Sequence, residues 1–429
     1  MSEELRRRAR EAAALMADRL SDPLEVGRRT ASIPSNGPAA WDPSSLTRGP
    51  AALALLAAED GRERSAATLS TAWRLTASAT SHSAVNGPFG GLGALASLAR
   101  CVNASDEVQA RLDARIAEHA RWLGTALDAQ LGRGEPAYVG TIDTLGGLAG
   151  EGRHLLARGH PGAADVATAL ATLARPLSVR GVVVPGWWSA PTERTVVAPE
   201  FQDGRLCFGL AHGIAGPLMF LALAHEQGIQ SAETDAATLS LADELWSWRQ
   251  HDQHGPFWTP YLPLTRIAHP DATPSPDPAR ASWCYGSLGI AQVLDQVGRA
   301  HAQPTWRARA RDVALAQLAR PAPEWGIQDV GLCHGWASHL VLLTTLAHRG
   351  VLDPHEADVE AALRHAAQNT LRQVDPSTQF GVQMPHPESG ATLDLPGLLE
   401  GAAGVALALL MYGRDCPPAT DWDTLLLLR

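Results

Sequence analysis

Lysine is missing from all 429 residues, and the 35 basic residues are arginine. That excludes a Schiff-base lysine, a catalytic lysine and the lysine of a phosphate-binding P-loop. Cysteine is scarce: five residues, an odd number and widely scattered, which argues against a disulfide framework and points to a reducing cytoplasm. No run approaches the roughly eighteen apolar residues that would span a bilayer. The opening stretch "MSEELRRRAREAAALMADRL" lacks the continuous apolar core of a signal peptide and is expected to form a helix, its arginines at 6–10 on a solvated face. A basic excess is absent too. The formal net charge of −10 gives no electrostatic reason to expect nucleic acid, and no basic run suggests an anionic membrane surface.

Apolar residues make up 45% of the chain, so it has material for a large core. Heavy Ala, Leu, Gly and Pro usage suggests a GC-rich bacterial genome. The dominant feature is a repeat. Small-residue apolar segments recur at 49–61, 90–103, 146–159, 213–228, 286–298, 335–350 and 401–413, most opening on Gly-x-x-Gly or Gly-x-x-small. Six close on glycine and one on Asn103, residues that tolerate the left-handed conformation at a helix C-terminus. Each reads as a helix of three to four turns, apolar nearly all round and buried on both sides. Between them lie amphipathic segments at 105–127, 233–251, 305–320 and 355–374, with weaker ones near 3–20, 65–80 and 163–177. Seven helical hairpins result. The economical packing is an all-α, α,α-toroid over residues 1–429 as one domain, seven inner helices inside seven outer ones.

Two stretches break the rhythm, near 180–206 and 262–280. The first carries β-branched triplets, prolines and the Trp187-Trp188 pair, and is expected to be a long loop or short hairpin. The proline-rich second is expected not to be helical. Loops this long usually have a function, here covering one mouth of the barrel. The tryptophan pair is expected to anchor its loop, with gripping a peptide as the alternative.

If the inner helices are parallel, residues just before each opening glycine gather at one end. That set is Arg48, Phe89, His212, Tyr285, His334 and Glu400, with Cys284 and Cys333 one position earlier and Asp143 four residues ahead of Gly147. Parallel helices also aim positive dipole ends at that mouth, which lowers thiol pKa values. Two cysteines and a histidine are donors that suit zinc, but their spacing alone leaves buried packing residues open as a reading. Cys101, Cys207 and Cys416 match no motif and are read as inert.

"RASWCYGSLG" (280–289), "GLCHGWAS" (331–338) and "LAHGIAG" (210–216) resemble the signature segments of the lanthionine synthetase C-like family, the cyclases of lantibiotic biosynthesis, and "DTLGGLAG" (143–150) matches a weaker fourth. The resemblance covers essentially the whole chain and implies the same toroid. It implies one zinc ion per chain, bound by Cys284, Cys333 and His334, with His212, Asp143, Arg280 and Tyr285 around it as the acid/base and orienting set. It implies a peptide cyclase of the stand-alone type. Cysteine thiols of a dehydrated precursor peptide, leader plus core, would add to dehydroalanine or dehydrobutyrine and form (methyl)lanthionine thioethers. A separate dehydratase and a transporter are the implied partners, in the cytoplasm or in a membrane-associated complex. The proline-rich stretch loosens the register of Arg280, and Ser338 replaces a glycine in the sixth repeat. Duller roles stay open: a helix cap for Asp143, a surface pair with Asp277 for Arg280, simple packing for Tyr285. Alternative functions are addition of glutathione or another thiol to dehydrated residues, a non-catalytic scaffold, and an α,α-toroid glycosidase, which would need paired carboxylates.

Overall fold

Glycine ahead of an apolar run and a left-handed residue behind it set the ends of a helix, and that grammar is written seven times here. The computed structural model describes residues 3–31, 40–63, 65–191, 198–270, 277–385 and 391–429. These residues form seventeen α-helices and a few short antiparallel strand pairs. Two compact units are present, one of Met1–Arg115 with Ile327–Asp423 and one of Ile116–Gly326 with Thr424–Arg429.

In the first unit the glycine-headed helices are Pro50–Asp60, Gly91–Cys101, Trp336–His348 and Ala402–Arg414. Nearly every residue of each is buried, as in the unbroken stretch Ala402–Gly413. Pro50–Asp60 packs on the amphipathic Ser65–Thr80, and Trp336–His348 on Ala357–Arg372. The latter buries Val359, Leu363, Ala366 and Thr370, a stripe at helical spacing. Each fully buried Val or Leu contributes about 1.5–3 kcal/mol relative to exposure. The last glycine-headed helix packs on the first amphipathic one, Glu3–Arg19. Two arginines of the 6–10 run depart from the expected solvated face there. Arg10 donates to the Gly413 carbonyl at 2.5 Å and Arg6 pairs with Asp415 at 2.6 Å, satisfying a helix C-terminus.

In the second unit the glycine-headed helices are Leu148–Ala157, Ala215–Glu226 and Ser287–Ala300, accompanied by Gly162–Ala171, Ala232–Ser247 and Pro304–Leu318. The segment near 163–177 stops being α-helical at Ala171 and tightens into a 3₁₀ turn over Thr172–Ala174, ahead of Pro176. The helix Asp106–Gly132 starts in the first unit and ends in the second.

Two helix ends differ from expectation. Gly298 and Gly413 lie inside their helices, and the left-handed residues are Ala302 and Asp415. A Cβ at Gly298 would sit 2.6 Å from Arg307 Cγ, and one at Gly413 2.8 Å from Arg10 Cγ. Glycine at these positions serves close helix approach instead of termination.

The two irregular stretches pair with each other. Arg205–Cys207 forms an antiparallel ladder with Tyr261–Pro263, and Leu177–Val179 with Val182–Val184. Contrary to the non-helical expectation for 263–280, Leu264–Ala268 makes one short helix, begun immediately after Pro263, where a missing N–H costs nothing. Residues 192–197 and 271–276 of these stretches lie outside the described residues. Trp187 and Trp188 are both buried, the first donating to Glu244 at 2.9 Å and the second to the Asp203 carbonyl at 3.0 Å. They anchor the loop.

Candidate active site

The loop before each glycine-headed helix folds back across the helix start, which is why no side chain fits there. A Cβ at Gly335 would strike the backbone of Gly331 and Val330, and Gly286 has φ +143° with the Arg280 carbonyl against it. The loops then bond to one another. In the second unit Thr144 N–H donates to the Ala211 carbonyl at 3.0 Å, and Ala211 N–H to that of Cys284 at 3.4 Å. In the first, Leu46 N–H donates to Phe89, Leu398 N–H to Thr47 and Cys333 N–H to Leu399, each at 2.9 Å. Within each unit, residues far apart in sequence therefore meet at the helix starts.

The second unit brings together Asp143, His212, Tyr285 and Cys284. One Asp143 oxygen accepts the Gly146 N–H at 2.8 Å, and the other accepts from His212 Nδ1 at 2.7 Å. Asp143 thus closes its local turn and orients a histidine, two roles that had been alternatives. With Nδ1 committed, Nε2 is the exchanging nitrogen of His212. Burial disfavours the His212 imidazolium, yet the bond and charge of Asp143, helped by Cys284, outweigh it and raise the pKa. An open cavity of about 370 Å³ is lined by Asp143, His212, Tyr285, Cys207, Arg205 and Tyr261, among others. Arg280 is not among its lining residues, and no ion pair to Asp277 forms among the described residues.

Tyr285 sits in a relay. Tyr261 donates to its hydroxyl oxygen at 2.6 Å and the Cys207 thiol does so at 3.9 Å. Burial, with these neighbours, pushes the Tyr285 pKa well above the ordinary value of 10.0, so the phenol stays protonated. Burial also pushes Cys207 up to about 11 and Cys101 up to about 12, which keeps both as thiols. No disulfide forms among the described cysteines. Arg205 lays its guanidinium over the Tyr261 ring at 4.0 Å.

The first unit repeats the carboxylate–histidine device. Asp329 accepts from Gly331 N–H at 2.8 Å and from His334 Nδ1 at 2.7 Å, and His334 Nε2 lies 3.6 Å from Glu400. A carboxylate on Nδ1 fixes the tautomer that presents Nε2 to a metal. Cys333 stands beside it, and Cys284 in the other unit lies 3.6 Å from the Ser282 hydroxyl. A thiol in each unit, and in the first an oriented imidazole beside it, are donor types that suit zinc.

Tyr261, Arg205, Cys207 and Asp329 were not singled out in the sequence as parts of the site. Asp329 had a signal: it lies six residues before Gly335, as Cys207 does before Gly213 and Arg280 before Gly286. Tyr261 had none, because its place depends on the ladder with Arg205–Cys207.

The family model for lanthionine synthetase C-like proteins matches residues 41–427, and the chain belongs to that family. Among solved structures it is similar to nisin cyclase, with a TM-score of 0.71 over 100% of this chain and 98% of that one, at 17% identity. That likeness carries the fold, the all-α α,α-toroid expected from the repeat. No curated protein matches the chain. Among the described residues no helix is long and apolar enough to cross a membrane.

Proposed function

We propose that this chain is a zinc-dependent peptide cyclase that closes thioether rings in a dehydrated precursor peptide. Cysteine thiols of the peptide add to its own dehydroalanine or dehydrobutyrine residues, so a separate dehydratase acts first. One zinc ion would be held by Cys284, Cys333 and His334, with Asp329 orienting the imidazole. When bound, zinc supplies deprotonation of the incoming thiol, which is otherwise mostly protonated at neutral pH.

The protein's own groups handle the rest of the balance. As the sulfur–carbon bond forms at the β-carbon, the π electrons move toward the α-carbon and its carbonyl oxygen. One proton leaves the thiol and one must reach the α-carbon. His212, whose imidazolium form Asp143 favours, delivers that proton from Nε2. Tyr285 accepts from both Tyr261 and Cys207, so its own O–H is left to donate to the developing oxyanion. Arg205 lines the cavity beside it and supplies positive charge there. Arg280, the other candidate for that role, orders the loop before Gly286 through its backbone.

The observation that carries this reading is His212 held by Asp143 at 2.7 Å on the cavity wall, in a chain whose family model spans both cysteine motifs. The test measures metal content of the wild type and Cys284→Ala, then incubates each with a dehydrated precursor and follows loss of free thiol. One zinc per chain at the thiol set and slow ring closure in the variant are expected. A wild type without zinc, or unchanged thiol loss in Cys284→Ala, defeats the mechanism.

A further inference from the structure

We propose that His225, Asp235 and His301 form a second divalent-metal site, suited to zinc, that ties together the ends of three helices in the second unit. His225 lies in the last turn of Ala215–Glu226, His301 caps Ser287–Ala300, and Asp235 stands in the first turn of Ala232–Ser247. One ligand atom from each residue falls within 4.8 Å of the other two. Ligands around a tetrahedral zinc at about 2.0–2.1 Å are themselves roughly 3.4 Å apart, so little movement is required.

Three observations favour a cation over simple packing. The two imidazole rings stand 4.1 Å apart at 34°, an arrangement that two protonated rings would oppose. His301 Nε2 is buried without a hydrogen-bond partner among the described residues, an arrangement that normally calls for a ligand. Both histidines lie at helix C-termini, where the negative dipole ends favour positive charge. The carboxylate is already in place, with Asp235 Oδ1 2.7 Å from His225 Nδ1. Neighbouring charges do not compete: Glu226 is engaged by Gln296 at 2.7 Å, and Arg299 by Asp295 at 2.8 Å.

The cluster is independent of the thiol donors. His225 lies thirteen residues after His212, at the opposite end of a helix about 18 Å long. Two imidazoles and one carboxylate suit zinc, with water completing the shell.

Equilibrium dialysis of the full chain against zinc alone tests this. Wild type is expected to bind two ions, the Cys284→Ala/Cys333→Ala double variant one, and that variant with His301→Ala none. His301→Gln, which keeps the side chain's bulk, is expected to lose the same ion while its metal-free melting temperature stays at the parent value. Zinc should raise the melting temperature of the cysteine double variant, and the rise should vanish with His301→Gln. A cysteine double variant that binds no zinc, or a stoichiometry unmoved by His301→Gln, overturns the proposal. One ion retained in the cysteine variant and in the wild type alike would defeat the thiol site and leave this one standing.

Discussion

Asp143 reaches across 69 residues of sequence to hold His212 by Nδ1 at 2.7 Å. Asp329 does the same to His334 at 2.7 Å over only five residues. In both cases the second carboxylate oxygen accepts a backbone N–H of the carboxylate's own turn, so the acid is fixed before it fixes the histidine. A ring held this way has one tautomer and one direction.

Asp143→Asn should lower the His212 pKa, because the charge that offsets burial is removed. NMR titration of the imidazole measures it, and an unchanged pKa would remove Asp143 as the cause. Folded His212 has a pKa above its ordinary 6.5. Its stabilising contribution is therefore complete below about pH 6.5 and is lost as pH rises through the folded value. In the variant that slope of stability with pH should flatten. Ring closure should slow by about a hundredfold or more, with the pH profile shifted to the acid side.

Asp329→Ala should weaken zinc binding by about 10–100-fold, since the outer carboxylate orients the His334 ligand. Competition with a chromophoric chelator reads this directly. Far-UV circular dichroism should match wild type. Equal affinity in the two proteins would make Asp329 a turn residue only.

Tyr261→Phe should reproduce part of any defect seen in Tyr285→Phe, although Tyr261 lies outside the WCYG segment. The loss of the 2.6 Å bond into Tyr285 leaves that hydroxyl with one fewer donor and lets it rotate. A stability loss of about 0.5–1.5 kcal/mol in denaturant is expected, with a larger proportional effect on ring closure. If Tyr261→Phe cyclises at the wild-type rate, the relay is structural.

Gly286→Ala should destabilise by about 1–3 kcal/mol, because φ of +143° is open to glycine alone and the Arg280 carbonyl blocks a Cβ. Gly132→Ala is the contrast. That glycine ends a helix with nothing near its would-be Cβ, so alanine should be neutral or stabilising by about 0.4–1 kcal/mol. Melting curves of the two variants together separate a conformational requirement from a general intolerance of substitution.

The periodic part of the molecule was legible in the chain. Seven apolar runs headed by glycine become seven buried helices, and the left-handed residue at Asn103 has φ 49°. This works because helix burial and helix termination are local consequences of residue type. Within each unit, convergence at the helix starts was legible for the same reason: a repeat carries equivalent residues to equivalent places.

Where one residue serves two distant segments, sequence offered little. Gly298 and Gly413 read as stops but act as clearances for Arg307 and Arg10, because a small residue is needed both for turning and for close approach. Tyr261 enters the site through a strand ladder, and Arg205 through its stacking on that ring. His225, Asp235 and His301 belong to three helices with no shared motif, and proximity alone makes them a group. The helices, their buried faces and the donor types at their starts follow from local chemistry written in the residue order. Only the folded chain places Asp143 on His212, because a pairing across 69 residues depends on distances no linear spacing encodes.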